Sequence, residues 1–422
     1  MKKTKLLIIL LILVTGLNAQ DGINYDENLM PAYTLPDPLV FPGGKKVKTV
    51  RQWETKRKPQ IFRMFEEQMF GKIPEGLDIK EYRLLEESDI TPYPNGRRKQ
   101  VALVLKKGEK ELLIQLLLYL PKGVAKAPVF LGYNFKGNHS VTPDKAVIIS
   151  SSWARDDAAS GITGNRFSEK SRGTEASRWS IQRMLDAGYG VAVMYYGDVD
   201  PDRDDFSDGV HPFCYSGDQK KPLPGEWGAI AAWSWGLSQA LNYLETEPAV
   251  DAGKVIVFGH SRLGKTALWA GVTDPRFALV ISNNSGCGGA ALSKRIFGET
   301  VKRINTSFPH WFCDNFKPYN DREQDLPFDQ HELIALIAPR PVYIASALED
   351  QWADPKGEYL GGYYASPVYH LYGKKGLESA EQPPVGVPVM NQIGYHIRPG
   401  KHDVTDFDWE QYIRFAEMHL KD

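Results

Sequence analysis

The stretch Val255-Ile256-Val257-Phe258-Gly259-His260-Ser261-Arg262-Leu263-Gly264-Lys265-Thr266-Ala267-Leu268-Trp269 changes character twice. Four apolar, mostly β-branched residues run into a glycine and a polar Ser-Arg pair, and after a second glycine the apolar spacing suits a helix. This predicts strand, sharp turn and helix with Ser261 at the apex, the geometry of a nucleophile elbow that lifts a hydroxyl above a sheet edge. Such a turn squeezes the backbone two residues before the serine, where Gly259 stands. In the usual Gly-x-Ser-x-Gly form the second glycine lies two after the serine; here Leu263 holds that place and Gly264 follows. An ordinary helix N-cap also accounts for a serine at this boundary, but not for the coincidence of strand, glycine, polar pair and helix.

Outward from the elbow, strands and helices alternate. Apolar strands are predicted over 128–135, 190–196, 277–284 and 339–347, the last being the final confident strand. Helices are predicted over 50–71, 179–186, 226–244 and about 408–420. Residues 79–120 read as an antiparallel lead-in hairpin at a sheet edge. The alternation implies an α/β fold, a mostly parallel central sheet with helices on both faces and long active-site loops. Residues 140–175 read as a long surface insertion and residues 198–224 as a polar loop. Four prolines between 20 and 48 suggest an extended N-terminal arm, leaving 49–422 as a single catalytic domain.

Composition narrows the function. A chain of 422 residues with 42% apolar residues can bury a large core, and a formal net charge of −1 gives no electrostatic case for nucleic acid or an anionic membrane. The three cysteines, Cys214, Cys287 and Cys313, allow one bridge and show no metal-ligand spacing. Met1-Lys2-Lys3-Thr4-Lys5 followed by the apolar Leu6 to Leu13 and a small residue, Ala19, reads as a secretory signal peptide over 1–19. The expected product is secreted or periplasmic, with no membrane anchor.

A nucleophilic serine needs a base, and the base an orienting acid, in the chain order nucleophile, acid, base for this architecture. Of the histidines after Ser261, His402 sits in the turn-rich Arg398-Pro399-Gly400-Lys401-His402-Asp403 just before the closing helix, where the base belongs. His396 and His419 lie nearby, and His260 is expected to be structural and turned away from Ser261. The acid should follow the strand ending near Ala347. Asp350 is favoured there, with Glu349 and Asp354 as alternatives. Arg262, next to the serine, brings fixed positive charge and several donors to a developing oxyanion. The loop Gly137-Asn138-His139 is a candidate for the second oxyanion donor or a plain turn.

The elbow Gly259-His260-Ser261-Arg262-Leu263-Gly264-Lys265 resembles the Gly-x-Ser-Arg-x-Gly-Lys signature of the glucuronoyl esterases, carbohydrate esterase family 15 of the α/β-hydrolase superfamily. The resemblance runs on through Trp269, Gly271, Asn284-Ser285-Gly286-Cys287-Gly288-Gly289, Asp350-Gln351-Trp352 and Gly400-Lys401-His402. It implies a monomeric enzyme without metal or cofactor that cleaves esters of 4-O-methyl-glucuronic acid, as in lignin–glucuronoxylan links. It also implies that Ser261 is the nucleophile, His402 the base and Arg262 the oxyanion stabiliser, with Lys265, Glu299 and Trp352 contacting the sugar. Many members carry the acid as a glutamate where this chain has Asn284, and some bacterial ones place it after the later strand, which favours Asp350. An acetyl xylan esterase and a non-catalytic polysaccharide-binding protein are the rival readings.

Overall fold

The computed structural model describes residues 23–420; the expected signal peptide lies outside them. Ten strands form one sheet: β1 (Glu81–Ser88), β2 (Gly96–Lys107), β3 (Lys110–Pro121), β4 (Ala127–Asn134), β5 (Gly190–Tyr195), β6 (Val250–His260), β7 (Leu279–Asn283), β8 (Val342–Ala347), β9 (Val389–Met390) and β10 (Ile393–Arg398). Their order is β1-β2-β3-β5-β4-β6-β7-β8-β10-β9. The six strands β5, β4, β6, β7, β8 and β10 are mutually parallel, while β1–β3 and β9 pair antiparallel at the two edges. This is the α/β-hydrolase architecture expected. The lead-in is a three-stranded meander, one strand more than a hairpin.

The central strands are mostly apolar in their middles because both faces are covered, with polar residues gathered toward their ends. On β6, Val255 and Val257 join one core and Ile256 and Phe258 the other, as a period of two requires. The first core lies under the helical run 50–70 and the helices Ala229–Leu244, Arg262–Thr273 and Pro355–Leu371; the second lies under Ile181–Asp186 and Asp406–Leu420. Trp269 of the elbow helix stacks on Phe70 at 4.2 Å and on Phe62 at 5.5 Å, locking the 50–70 helix against it. Gly271 lets the same helix close on β7: a Cβ there would meet Val280 at 2.4 Å.

Three expectations need correction. The strand 342–347 is not the last, since β10 follows it and pairs parallel with β8. Residues 140–175 are a surface insertion only in part: Pro143, Lys145, Arg155, Asp156, Arg166 and Lys170 are exposed, but Ser140, Val141, Thr142 and Ser171 are fully buried, with Ser171 Oγ 2.7 Å from His139 Nε2. The loop after β5 is polar, as expected; its first acids, Asp198, Asp200 and Asp202, are 1–2% exposed, while its distal part over 216–224 faces solvent. The Cys214, Cys287 and Cys313 side chains are free thiols, so no bridge forms among them. Residues 24–47 pack as an arm, with Pro36 O accepting from His331 and Pro38 O from Arg57.

Candidate active site

Ser261 follows β6 directly and starts the helix Arg262–Thr273. Its backbone sits at φ 59°, ψ −129°, a conformation costly for a residue with a Cβ and held here by Ser261 N–H donating to Asn283 O at 2.8 Å. A Cβ at Gly259 would lie 1.8 Å from the Leu263 carbonyl oxygen, so this position admits only glycine. The displaced Gly264 has its own reason: a Cβ there would press on Ser285 Cβ at 2.9 Å.

The site gathers where parallel strands end, beyond the carboxyl edge of the sheet. Asp350 lies three residues past β8 and His402 four past β10. His402 Nδ1 meets Asp350 Oδ2 at 2.6 Å, and the two loops are tied by Leu348 N–H to Arg398 O (2.9 Å) and Glu349 N–H to Gly400 O (3.0 Å). With Asp350 as a carboxylate, the Nδ1 proton faces it and Nε2 is left without that proton, able to accept one. Asn284, where a glutamate was the family alternative, donates its amide to the same Asp350 oxygen at 2.9 Å.

The competing acids lie elsewhere. Glu349 is exposed, and Asp354 caps the helix Pro355–Leu371 while pairing with Arg295 at 2.8 Å. His396 is sealed in β10 against Asp408, and His419 reaches the Asn391 carbonyl. His260 is buried but not remote: its ring packs 4.5 Å from that of His402, with Nδ1 on Asn283 Oδ1 at 2.6 Å. Burial, helped by His402, pushes its pKa well below the usual imidazole value, so it stays neutral.

Two adjoining cavities share Ser261, Arg262, Phe308 and His402. One, of about 330 Å³, is lined also by Lys265, Asn284, Glu299, Trp311, Asp350 and Trp352. The other, about 360 Å³, is lined by Phe135, Lys136, Arg155, Arg178 and Tyr196. Lys265 is 4% exposed and donates to Ser285 O at 2.6 Å and Glu299 Oε2 at 3.4 Å. Arg262 N–H belongs to the first turn of a helix, a donor without an intrahelical acceptor and so available to an oxyanion. The loop Gly137-Asn138-His139 is committed inward, with Asn138 bonded to Asn134 and Gln115 and His139 to Ser171; from that connection Phe135 and Lys136 reach the cavity instead.

Two residues escaped the sequence reading. Asp202 holds the Arg262 guanidinium and also accepts from His310 Nε2 (2.8 Å), Trp311 Nε1 (2.7 Å) and Tyr196 OH (3.1 Å). Burial alone would raise its carboxyl, but Arg262 and His310 hold it well below the usual carboxylate range. The signal was positional: Tyr196-Gly197-Asp198-Val199-Asp200-Pro201-Asp202 continues a wholly apolar strand, so its acids emerge at the sheet's active edge. Glu358 lies fully buried behind Asp350, accepting from Ser285 N–H (2.6 Å), Gly286 N–H (3.0 Å) and Ser346 Oγ (2.6 Å). Among the described residues, no group of three or more His, Cys, Asp or Glu side chains is placed to hold a metal ion, and no helix is long and apolar enough to cross a membrane.

Residues 222–373 match a family profile described as glucuronyl esterase, fungi. Over its whole length the chain is 50% identical to carbohydrate esterase MZ0003 from an unknown prokaryotic organism, covering 99% of that protein. Among solved structures, a promiscuous CE15 esterase from a marine bacterial metagenome is 52% identical with a TM-score of 0.86, over 94% of this chain and all of that one. The glucuronoyl esterase from Solibacter usitatus is 46% identical with a TM-score of 0.88, over 93% of this chain and all of that one.

Proposed function

The chain belongs to the glucuronoyl esterases of carbohydrate esterase family 15 and is a carboxylic ester hydrolase; from that premise we propose that it cleaves esters of 4-O-methyl-glucuronic acid through Ser261, His402 and Asp350. The observation that carries the reading is the His402–Asp350 pair opening onto the cavity that holds Ser261, Arg262 and Lys265. His402 Nε2 takes the Ser261 proton as Oγ bonds to the uronate C6, and the C6 oxygen is met by the Arg262 backbone N–H and guanidinium. His402 then protonates the alcohol oxygen as the C6–O bond breaks. Water, deprotonated by the same histidine, adds to the acyl carbon, Oγ leaves with that proton, and uronic acid is released and ionises.

Lys265, Glu299 and Trp352 would bind the sugar ring, and the cavity of Phe135, Tyr196 and Arg155 would take the departing alcohol. A lignin alcohol esterified to a glucuronoxylan side chain fits an aromatic wall of that kind. The enzyme would act as a monomer outside the cytoplasm after loss of residues 1–19, with 49–422 as one catalytic domain and 20–48 as its arm.

Hydrolysis of methyl glucuronate and of an aryl acetate, by the wild type and Ser261→Ala, tests the reading. Turnover of the uronate ester that disappears in the variant supports it. Preference for the acetate would make the enzyme an acetyl esterase, and undiminished activity in Ser261→Ala would remove Ser261 from the chemistry.

A further inference from the structure

Both cations that line the sugar-side cavity are paired with buried carboxylates. Asp202 holds Arg262, Glu299 lies 3.4 Å from Lys265, and Asp350 adds a third carboxylate behind His402. Asp202 is anchored from three segments of the chain, by Tyr196, by Arg262 and by the adjacent His310 and Trp311. The guanidinium it holds lies 4.9–5.6 Å from the rings of Phe135, Phe308 and Trp311. These pairings cancel charge without using up donors: a guanidinium has five N–H groups and an ammonium three.

A site that favours a carboxylate over its neutral ester presents net positive charge to the ligand, commonly through a bidentate arginine. In the lining of this cavity Arg262 and Lys265 are matched by Glu299 and Asp350, with Asp202 held against Arg262 from the adjoining cavity, so an entering anion meets no excess of cations among these groups. The tetrahedral adduct tolerates this because its charge sits on a single oxygen, placed among the donors by the covalent bond to Ser261. A free uronate spreads the same charge over two oxygens, and only one can occupy that place.

We propose that Asp202, as a positioning residue, and Glu299 discharge Arg262 and Lys265 so that the pocket binds the neutral ester in preference to its anionic product, which speeds product release. The inference rests on the uronate-ester reading above and adds a selection by charge that the reading itself does not require.

The test compares inhibition by glucuronate with inhibition by its neutral isostere glucuronamide, in the wild type, Asp202→Asn and Asp202→Glu. In the wild type at pH 7 the amide is expected to inhibit at least as strongly as the acid, and inhibition by the acid to change little between 50 and 500 mM salt. Asp202→Asn should shift the ratio about tenfold toward the acid, and Asp202→Glu, which restores the charge, should return it. A wild type that already prefers the acid tenfold, or a ratio unmoved in Asp202→Asn, overturns the proposal. If Asp202→Asn does not fold, the wild-type ratio and its salt dependence decide alone. A protein that neither hydrolyses methyl glucuronate nor binds either inhibitor instead defeats the functional reading, and this inference with it.

Discussion

Two histidine–aspartate pairs lie in the C-terminal part of the chain, and their geometry barely differs. His402 Nδ1 meets Asp350 at 2.6 Å and His396 Nε2 meets Asp408 at 2.8 Å. Their surroundings differ completely. His396 and Asp408 are both fully buried; the second ring nitrogen of His396 is taken by Tyr343 OH at 3.0 Å, and Asp408 also accepts from Arg398 and Thr405. The His402 side chain is 37% exposed and lines both cavities with Ser261. A short contact to a carboxylate therefore does not mark a catalytic histidine. What separates the pairs is whether a nitrogen is left over and whether a substrate can reach it.

The comparison breaks first at the proposed base, His402. His402→Gln should lower kcat for methyl glucuronate by about 10⁴-fold or more, because the residues of a triad act as a unit. Its thermal midpoint should stay close to the wild type, a half-exposed ring contributing little to the core. A variant retaining a tenth of the activity would return the base to an unassigned residue. One step down, Asp350→Asn leaves the packing intact but presents an amide to Nδ1, and should cost about 10²–10⁴-fold in kcat. Glu349→Gln, on the exposed neighbour, should change kcat by less than twofold. The reverse pattern would move the acid to Glu349.

The core pair should answer in stability instead. Asp408→Ala strands the Arg398 guanidinium and His396 without their partner, and removing one side of a buried ion pair costs about 3–5 kcal/mol. Denaturant unfolding should show that loss, while kcat of the protein that remains folded stays within a few fold of wild type. A loss of kcat with unchanged stability would mean that the two pairs are coupled, and their separation by access would fail.

The same contrast explains what the chain discloses before folding. The elbow is readable because its strain imposes a local rule: with a Cβ at position 259 only 1.8 Å from a carbonyl oxygen, glycine has no substitute. His402 is readable because the Gly400-Lys401-His402 turn lies just before an amphipathic helix. Strand β10 is hard to read because Ile393-Gly394-Tyr395-His396-Ile397-Arg398 mixes a glycine and two polar residues into a strand whose parallel partner, β8, is distant in sequence. The helix Pro355–Leu371 contains Gly361, Gly362 and Pro367, all poor helix formers, and is sustained by close packing, Gly361 approaching the Ala290 carbonyl. Asp202 could not be read as buried, since three of its four donors lie at positions 262, 310 and 311, distant in sequence. Long-range satisfaction of a polar group leaves no local pattern.

A third carboxylate, Glu358, sits behind the proposed His402–Asp350 pair and belongs to neither pair; its effect shows only as pH changes. Burial pushes its pKa from 4.5 up to about 8, against the pull of Ser346 Oγ and the backbone N–H groups of Gly286 and Ser285, and with Asp350 adding to the rise. An acid whose folded pKa lies above its unfolded value binds more protons folded than unfolded in the interval between them. Folding stability must therefore fall as pH rises from about 4.5 to about 8. Glu358→Gln keeps the shape and the acceptor for both backbone N–H groups but cannot ionise. The variant should be close to wild type in stability near pH 5 and should lose less on going to pH 8, so that unfolding midpoints measured across this range diverge in its favour. Parallel curves would mean that Glu358 ionises in the fold without penalty and that the two N–H donors already balance its charge. In that case the carboxylate behind Asp350 would carry a full negative charge at working pH, and it would belong with Asp350 in the electrostatics of the imidazolium rather than with the inert core.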